Sequence, residues 1–142
     1  GVVNPIADRL SSQATSTAGL VISTTTTLAK TGSAAFAGVA GGVPVAIAAG
    51  TDMPALSGSI TAGSYNVFCF FIDSASTVTS VMGNEGTTLA KVTFPQFPAG
   101  KALVGYLVIT YASAFVGGTT VLSTATTVYV SPVGAFDPTI IL

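Results

Sequence analysis

The chain has 142 residues, enough for one domain with a sizeable core. Four basic and five acidic side chains give a net charge of −1. Only 6% of residues are charged, where soluble domains carry about 25%. The absence of histidine excludes Ser-His-Asp and Cys-His catalysis and His-based zinc sites. Arg9, Lys30, Lys91 and Lys101 are too scattered to track a phosphate backbone, so no nucleic-acid partner is expected.

Hydrophobic residues make up 49% of the chain, and 35 Ser and Thr supply most of its polarity. Such a surface is covered either by lipid or by other protein subunits. The charge-free stretch SAAFAGVAGGVPVAIAAG (Ser33–Gly50) is the best membrane candidate. It is rich in Ala and Gly, is interrupted by Gly41-Gly42 and Pro44, and has no flanking basic cluster. The regularly alternating ten-residue strands of an outer-membrane barrel are not evident either. No membrane partner is therefore expected.

In chain order, GVVNPIADRL lacks a basic stretch followed by an apolar run, so it does not read as a signal peptide. Residues 1–17 form an N-terminal arm, extended or short-helical. Val3, Ile6 and Leu10 fall on one helical face, and Asn4-Pro5 suits the start of a helix over residues 5–12. The arm is either a flexible tail or a clasp on a neighbouring subunit, with Val2 as a further apolar contact.

Residues 18–142 read as one β domain. Strand-like, β-branched segments occur at Ala18–Thr24 and Thr26–Lys30. Phe36–Val39 and Val43–Ala48 form a hairpin across Gly41-Gly42, and Pro44 assigns the second strand to a sheet edge or to its own start. After the loop Thr51–Pro54, Ser59–Thr61 leads into Gly63. Tyr65–Asp73 (YNVFCFFID) is the strongest strand, and Asp73 suits an Asx turn leading to its partner, Thr77–Met82. Gly83–Gly86 is a turn, Leu89–Phe94 a short strand and Pro95–Gly100 an irregular loop. Lys101–Tyr111 is a long strand that alternates Val104, Tyr106, Val108 and Thr110 against Leu103, Gly105, Leu107 and Ile109. Thr119–Ser123, after Gly117-Gly118, and Thr126–Val130 are the last strands. The fold class is mainly β, a single antiparallel β-sandwich or small barrel.

No catalytic constellation is present. Cys69 lies in an apolar run and is expected to be a buried structural thiol. Asp8, Asp52, Asp73, Glu85 and Asp137 are dispersed, and the oxygen ligands at regular spacing that a calcium loop needs beside Asp73 are missing. Neither an enzyme nor a cofactor or metal is expected. Tyr65, Tyr106, Tyr111 and Tyr129 read as core and sheet-face residues rather than as a sugar-binding platform.

The order Asn66–Ser80 (NVFCFFIDSASTVTS), Gly83–Ala90 (GNEGTTLA), Phe94–Thr110 (FPQFPAGKALVGYLVIT), Phe115–Thr120 and Val133–Thr139 resembles a group of small tailed-phage proteins. The strand, Asp turn and strand, followed by P-x-x-P-A-G-K before a long strand, is similar to β modules of phage head-decoration and fibre proteins. The resemblance spans about residues 60–140. It implies a virion structural protein, and the leading expectation is a capsid decoration (cement) protein. Such a protein would be a homotrimer on the capsid surface, with the major capsid protein as its partner. The alternatives are a tail or fibre module that binds host glycans, and a self-assembling tube, pilus or surface-layer subunit. The expected assembly contacts are the apolar residues of the two ends: Val2, Val3, Ile6 and Leu10, with Phe136, Ile140, Ile141 and Leu142.

Overall fold

β-branched and aromatic side chains dominate the middle of the chain, and the computed structural model, which describes residues 12–134, is mainly β. The strands in chain order are β1 (Gln13–Ala14), β2 (Val21–Ile22), β3 (Ala29–Lys30), β4 (Phe36–Ala40), β5 (Val43–Ile47), β6 (Ser59–Ile60), β7 (Tyr65–Ile72), β8 (Val78–Met82), β9 (Ala102–Thr110), β10 (Phe115–Val116) and β11 (Thr126–Val130). All pairings between them are antiparallel. The main sheet has the order β11-β9-β7-β8, and the second layer is β1-β4-β5, with two short ribbons, β2-β3 and β10-β6. The arrangement is sandwich-like and, among the described residues, contains no closed barrel. The strands divide among separate sheets, which leaves edges that a barrel would have paired.

β7 and β9 are buried on both faces. Phe68, Phe70 and Ile72 of β7 and Val104, Leu107 and Ile109 of β9 point into the core between the layers. There they meet Phe36, Val45 and Ile47 of the second layer, Phe115 of β10, and Met53, Leu56 and Leu122 from the connections. Val67, Cys69 and Phe71 of β7 and Leu103 and Tyr106 of β9 face the other side. The segment carrying Val92, Phe94 and Phe97 covers them. Ring edges meet ring faces there: Phe71 and Phe97 have centroids 4.8 Å apart at 76°, and Phe94 and Tyr106 5.0 Å apart at 84°. A strand covered on both faces reads as a continuous apolar run, which is why VFCFFI carries so strong a strand signal.

The strict alternation expected along Lys101–Tyr111 is broken by a β-bulge. Phe70 pairs with Gly105 but Phe71 pairs with Leu103, so Val104 is the extra residue. Ala102 and Val104 face the inter-layer core before the bulge, and Leu107 and Ile109 face it afterwards. Gly105 is required at this point: a Cβ there would lie 2.5 Å from Leu20 Cδ1 and 2.8 Å from the Val130 carbonyl oxygen.

Two other sequence assignments change. Leu89–Lys91 is a 3₁₀ turn and not a strand, and Thr119–Ser123 is a succession of turns. Both segments are β-branched or apolar, but apart from the single bridge of Thr93 to Asn84 they pair with no strand among the described residues, and sheet propensity is realised only by pairing. Gly83–Gly86 is more extended than a tight turn, with bridges Asn84↔Thr93 and Tyr65↔Gly86. The hairpin β4–β5 forms as expected, with Gly41 at φ 57° and Gly42 at φ 82°, the left-handed pair that a two-residue turn needs. That hairpin occupies the stretch Ser33–Gly50, and no helix among the described residues is long and apolar enough to cross a membrane. Pro44 stands in edge strand β5, where its missing N–H costs no ladder bond. The β structure begins within the stretch read as an arm, since Gln13-Ala14 pairs with Val39 and Gly38 and Ala14 is buried. The helix expected over residues 5–12 lies, but for Ser12, outside the described residues.

Gly105→Ala should destabilise the protein by about 1–3 kcal/mol, because the carbonyl it meets belongs to a paired strand and has little room to retreat. Phe70→Ala, at a fully buried ring, should cost about 3–5 kcal/mol. Urea unfolding followed by fluorescence or circular dichroism checks both.

Candidate functional site

The described carboxylates are occupied with holding turns. Asp73 Oδ1 accepts the amides of Ala75 and Thr77, both at 2.9 Å, the Asx geometry anticipated for the loop between β7 and β8. Asp52 Oδ1 accepts the Ser23 hydroxyl, tying the β2–β3 ribbon to the loop after β5. Glu85 accepts the Thr61 amide at 2.9 Å and the Thr61 hydroxyl at 2.8 Å, and these bonds hold its carboxyl below the usual carboxylate range. No cluster of three metal-ligating side chains occurs among the described residues. Cys69 is fully buried in the covered outer face, where burial pushes its thiol well above the ordinary range. Burial, and secondarily the neighbouring Cys69 sulfur, raises the Tyr106 phenol.

The eight predicted contact residues, Val2, Val3, Ile6, Leu10, Phe136, Ile140, Ile141 and Leu142, lie outside the described residues. What the structure does fix is where the two end segments join the fold. The Gly134 amide donates to the Ala14 carbonyl at 2.8 Å, and the Gly41 amide donates to the Ser12 hydroxyl at 2.8 Å. The first and last described residues therefore attach at one corner, beside the β4–β5 turn. Two segments far apart in sequence are anchored side by side.

Sequence reasoning missed a second apolar surface. On the outer face of the main sheet, the Phe94–Phe97 segment covers β7 and the near part of β9, while β11 reaches that cluster only through half-buried Val130 and leaves Val128 exposed. Tyr106 and Val108 of β9, Val128 and Val130 of β11 and Leu89 of the 3₁₀ turn line a groove of about 220 Å³ whose walls are almost wholly apolar. Val128 is 53% exposed and Leu89 39%. β11 is also an edge strand, with β9 on one side and no strand of the described residues on the other. Its sequence, TTVYV, has no charge and no proline. Solvent-facing edges are ordinarily blunted with such residues. The signal was present in the sequence, but only the sheet order shows that the strand is at an edge.

A third feature is an open depression of about 330 Å³ with mixed polar and apolar walls, lined by Gly63, Thr110, Tyr111, Ala112, Thr124 and Thr126. Comparison with protein-family models, curated proteins and solved structures finds no significant match.

Two outcomes follow from this geometry. The depressed Glu85 pKa means that its contribution to stability is present above the unfolded-state value of about 4.3 and is lost as pH falls through the folded-state value. The melting temperature of wild type should therefore fall more steeply than that of Glu85→Gln on acidification below about pH 4.5. Cys69 should resist a thiol reagent such as Ellman's reagent in the native protein and react stoichiometrically only after unfolding in denaturant.

Proposed function

We propose that this chain is a structural subunit of a phage particle, a capsid decoration protein that binds where major capsid subunits meet. The observation that carries the reading is the uncovered apolar groove beside β11, on a chain with 6% charged residues. Exposed apolar strips on so weakly charged a surface are stable in solution only when another subunit covers them. The bonds of Ser12 to Gly41 and of Gly134 to Ala14, which join the first and last described residues to neighbouring strands, support the same reading. The resemblance of Asn66–Thr110 to phage head-decoration and fibre modules supplies the kind of assembly. A homotrimer on the capsid surface fits these contacts. Burial repeated under capsid symmetry supplies avidity without charge steering, and the engagement of each described carboxylate within the fold suits a non-catalytic role.

A decoration protein is present in purified particles at a fixed ratio to the major capsid protein, measurable by quantitative mass spectrometry. Particles assembled without it should release their genome at a lower temperature in a dye-accessibility melt. Absence from purified particles, or an unchanged release temperature, would overturn the reading. The mixed depression with Tyr111 and three threonines favours one second reading, a fibre module that stacks a neutral sugar on the tyrosine ring. A glycan array decides it, since a decoration protein should bind none of the printed sugars.

A further inference from the structure

The open edge of β11 has a definite hydrogen-bonding phase. Tyr65 directs both its amide and its carbonyl at Gly86, at 2.8 and 3.0 Å, and so turns both away from β9. Tyr65↔Thr110 is then a non-hydrogen-bonded pair, and Thr110 turns its own amide and carbonyl toward β11. Continuing the alternation, Thr126, Val128 and Val130 bond to β9, while Thr127 and Tyr129 direct their amides and carbonyls to the open side. The Val130 carbonyl oxygen lies 2.8 Å from where a Cβ on Gly105 would stand, on the β9 side, in agreement with this phase. The residues of TTVYV therefore divide: even-numbered positions hold the sheet, with Val128 and Val130 also lining the groove, and odd-numbered positions present strand groups that no strand of the described residues pairs with.

We infer that β11 is a homotypic contact in which a second copy of this chain pairs with it antiparallel, about a two-fold axis at Val128. This deepens the assembly reading and rests on it: the two-fold contact joins one trimer to the next, since it cannot lie within a three-fold ring. In that register Val128 meets its own copy as a non-hydrogen-bonded pair, and Thr127 of each copy faces Tyr129 of the other. Those facing residues carry the outward groups and exchange both of their amide–carbonyl bonds. The main sheet then runs continuously through two subunits.

A second copy is favoured over other occupants for three reasons. The strand carries no charge, so like copies approach without repulsion and an oppositely charged partner gains nothing. The phase is self-complementary, because the central residue is the one whose backbone groups are already satisfied. The groove lies on the same face as Val128, so pairing brings Thr126, Val128 and Val130 of each copy into one strip, with both grooves at its flanks. Strands this short make a weak contact in isolation. Under symmetry, where other contacts hold the subunits close, a weak contact of this kind becomes effective.

Site-directed cross-linking tests the register. Non-hydrogen-bonded antiparallel partners have Cα atoms about 4.5 Å apart, within disulfide range. Full-length Val128→Cys, oxidised mildly in the high-micromolar range, should form a disulfide-linked pair on a non-reducing gel. Val133→Cys is the control: Val133 is 56% exposed, but the register separates the two copies of that position by about 30 Å. The expected yield for Val128→Cys is on the order of tenfold above that control. At the same high-micromolar concentration, Val128→Lys and Val128→Glu should each lower the average mass measured by light scattering to that of the separate trimer, with no change in melting temperature, and mixing the two should restore it. Equal yields at positions 128 and 133, or lysine and glutamate variants that keep the wild-type mass, would overturn the two-fold contact. A preferred mixed product between Val128→Cys and Ile141→Cys would place the C-terminal segment on the edge instead, and would overturn it as well. Failure here leaves the capsid reading to stand on the particle experiment. Cross-linking by a protein absent from particles would do the reverse.

Discussion

The structure depends on covering β7 on both of its faces. Val67 to Ile72 are all fully buried, with Phe68, Phe70 and Ile72 on one side and Val67, Cys69 and Phe71 on the other. An amphipathic sheet needs one partner layer, but this strand needs two. The second layer, β1-β4-β5, supplies the first cover. Among the described residues no second sheet covers the other face, and an irregular segment bearing Val92, Phe94 and Phe97 closes it with aromatic edge-to-face contacts. That cover reaches Tyr106 and stops. The groove at Leu89, Val108, Val128 and Val130 marks where the intramolecular cover ends.

The bulge at Val104-Gly105 follows from the same demand. β9 must feed large side chains to both faces, yet the backbone must pass closely under Leu20 and beside the Val130 carbonyl. Inserting one residue flips the later half of the strand, so Leu107 and Ile109 reach the inter-layer core while Tyr106 and Val108 turn to the outer face. A strictly alternating strand would have sent Leu107 and Ile109 to the side where the cover is thin. The bulge also determines which residues line the groove and which side chains β11 can pair with. The assembly surface is thus a downstream consequence of how the core is filled.

The polar side chains mostly serve the connections. Asn66 is buried, yet its amide nitrogen donates to the Gly83 carbonyl and its carbonyl oxygen accepts the Val67 amide. Buried Thr31 bridges the Ala48 carbonyl and the Thr51 amide. These bonds do the work that charged networks do elsewhere, which is how a chain with so little charge keeps its loops in register. They leave few charges to keep copies apart, and the proposal that this chain functions within an assembly follows from that scarcity.

Local chemistry alone was enough to locate the apolar run of β7, the glycine turn between β4 and β5, the Asp73 turn and the burial of Cys69. Each is set by side-chain branching, a left-handed backbone requirement or a short-range hydrogen bond, and needs no knowledge of distant residues. The same reading drew attention to the apolar ends, Val2–Leu10 and Phe136–Leu142, and took Leu89–Phe94 and Thr119–Ser123 for strands. Only the tertiary structure decided that those two segments pair with no strand among the described residues, that β9 switches faces at Val104, and that β11 is an uncovered edge. Partner choice, bulge position and edge status are relations between segments far apart in the chain. A period-2 pattern records which way a side chain points relative to its neighbours, but not what lies across from it.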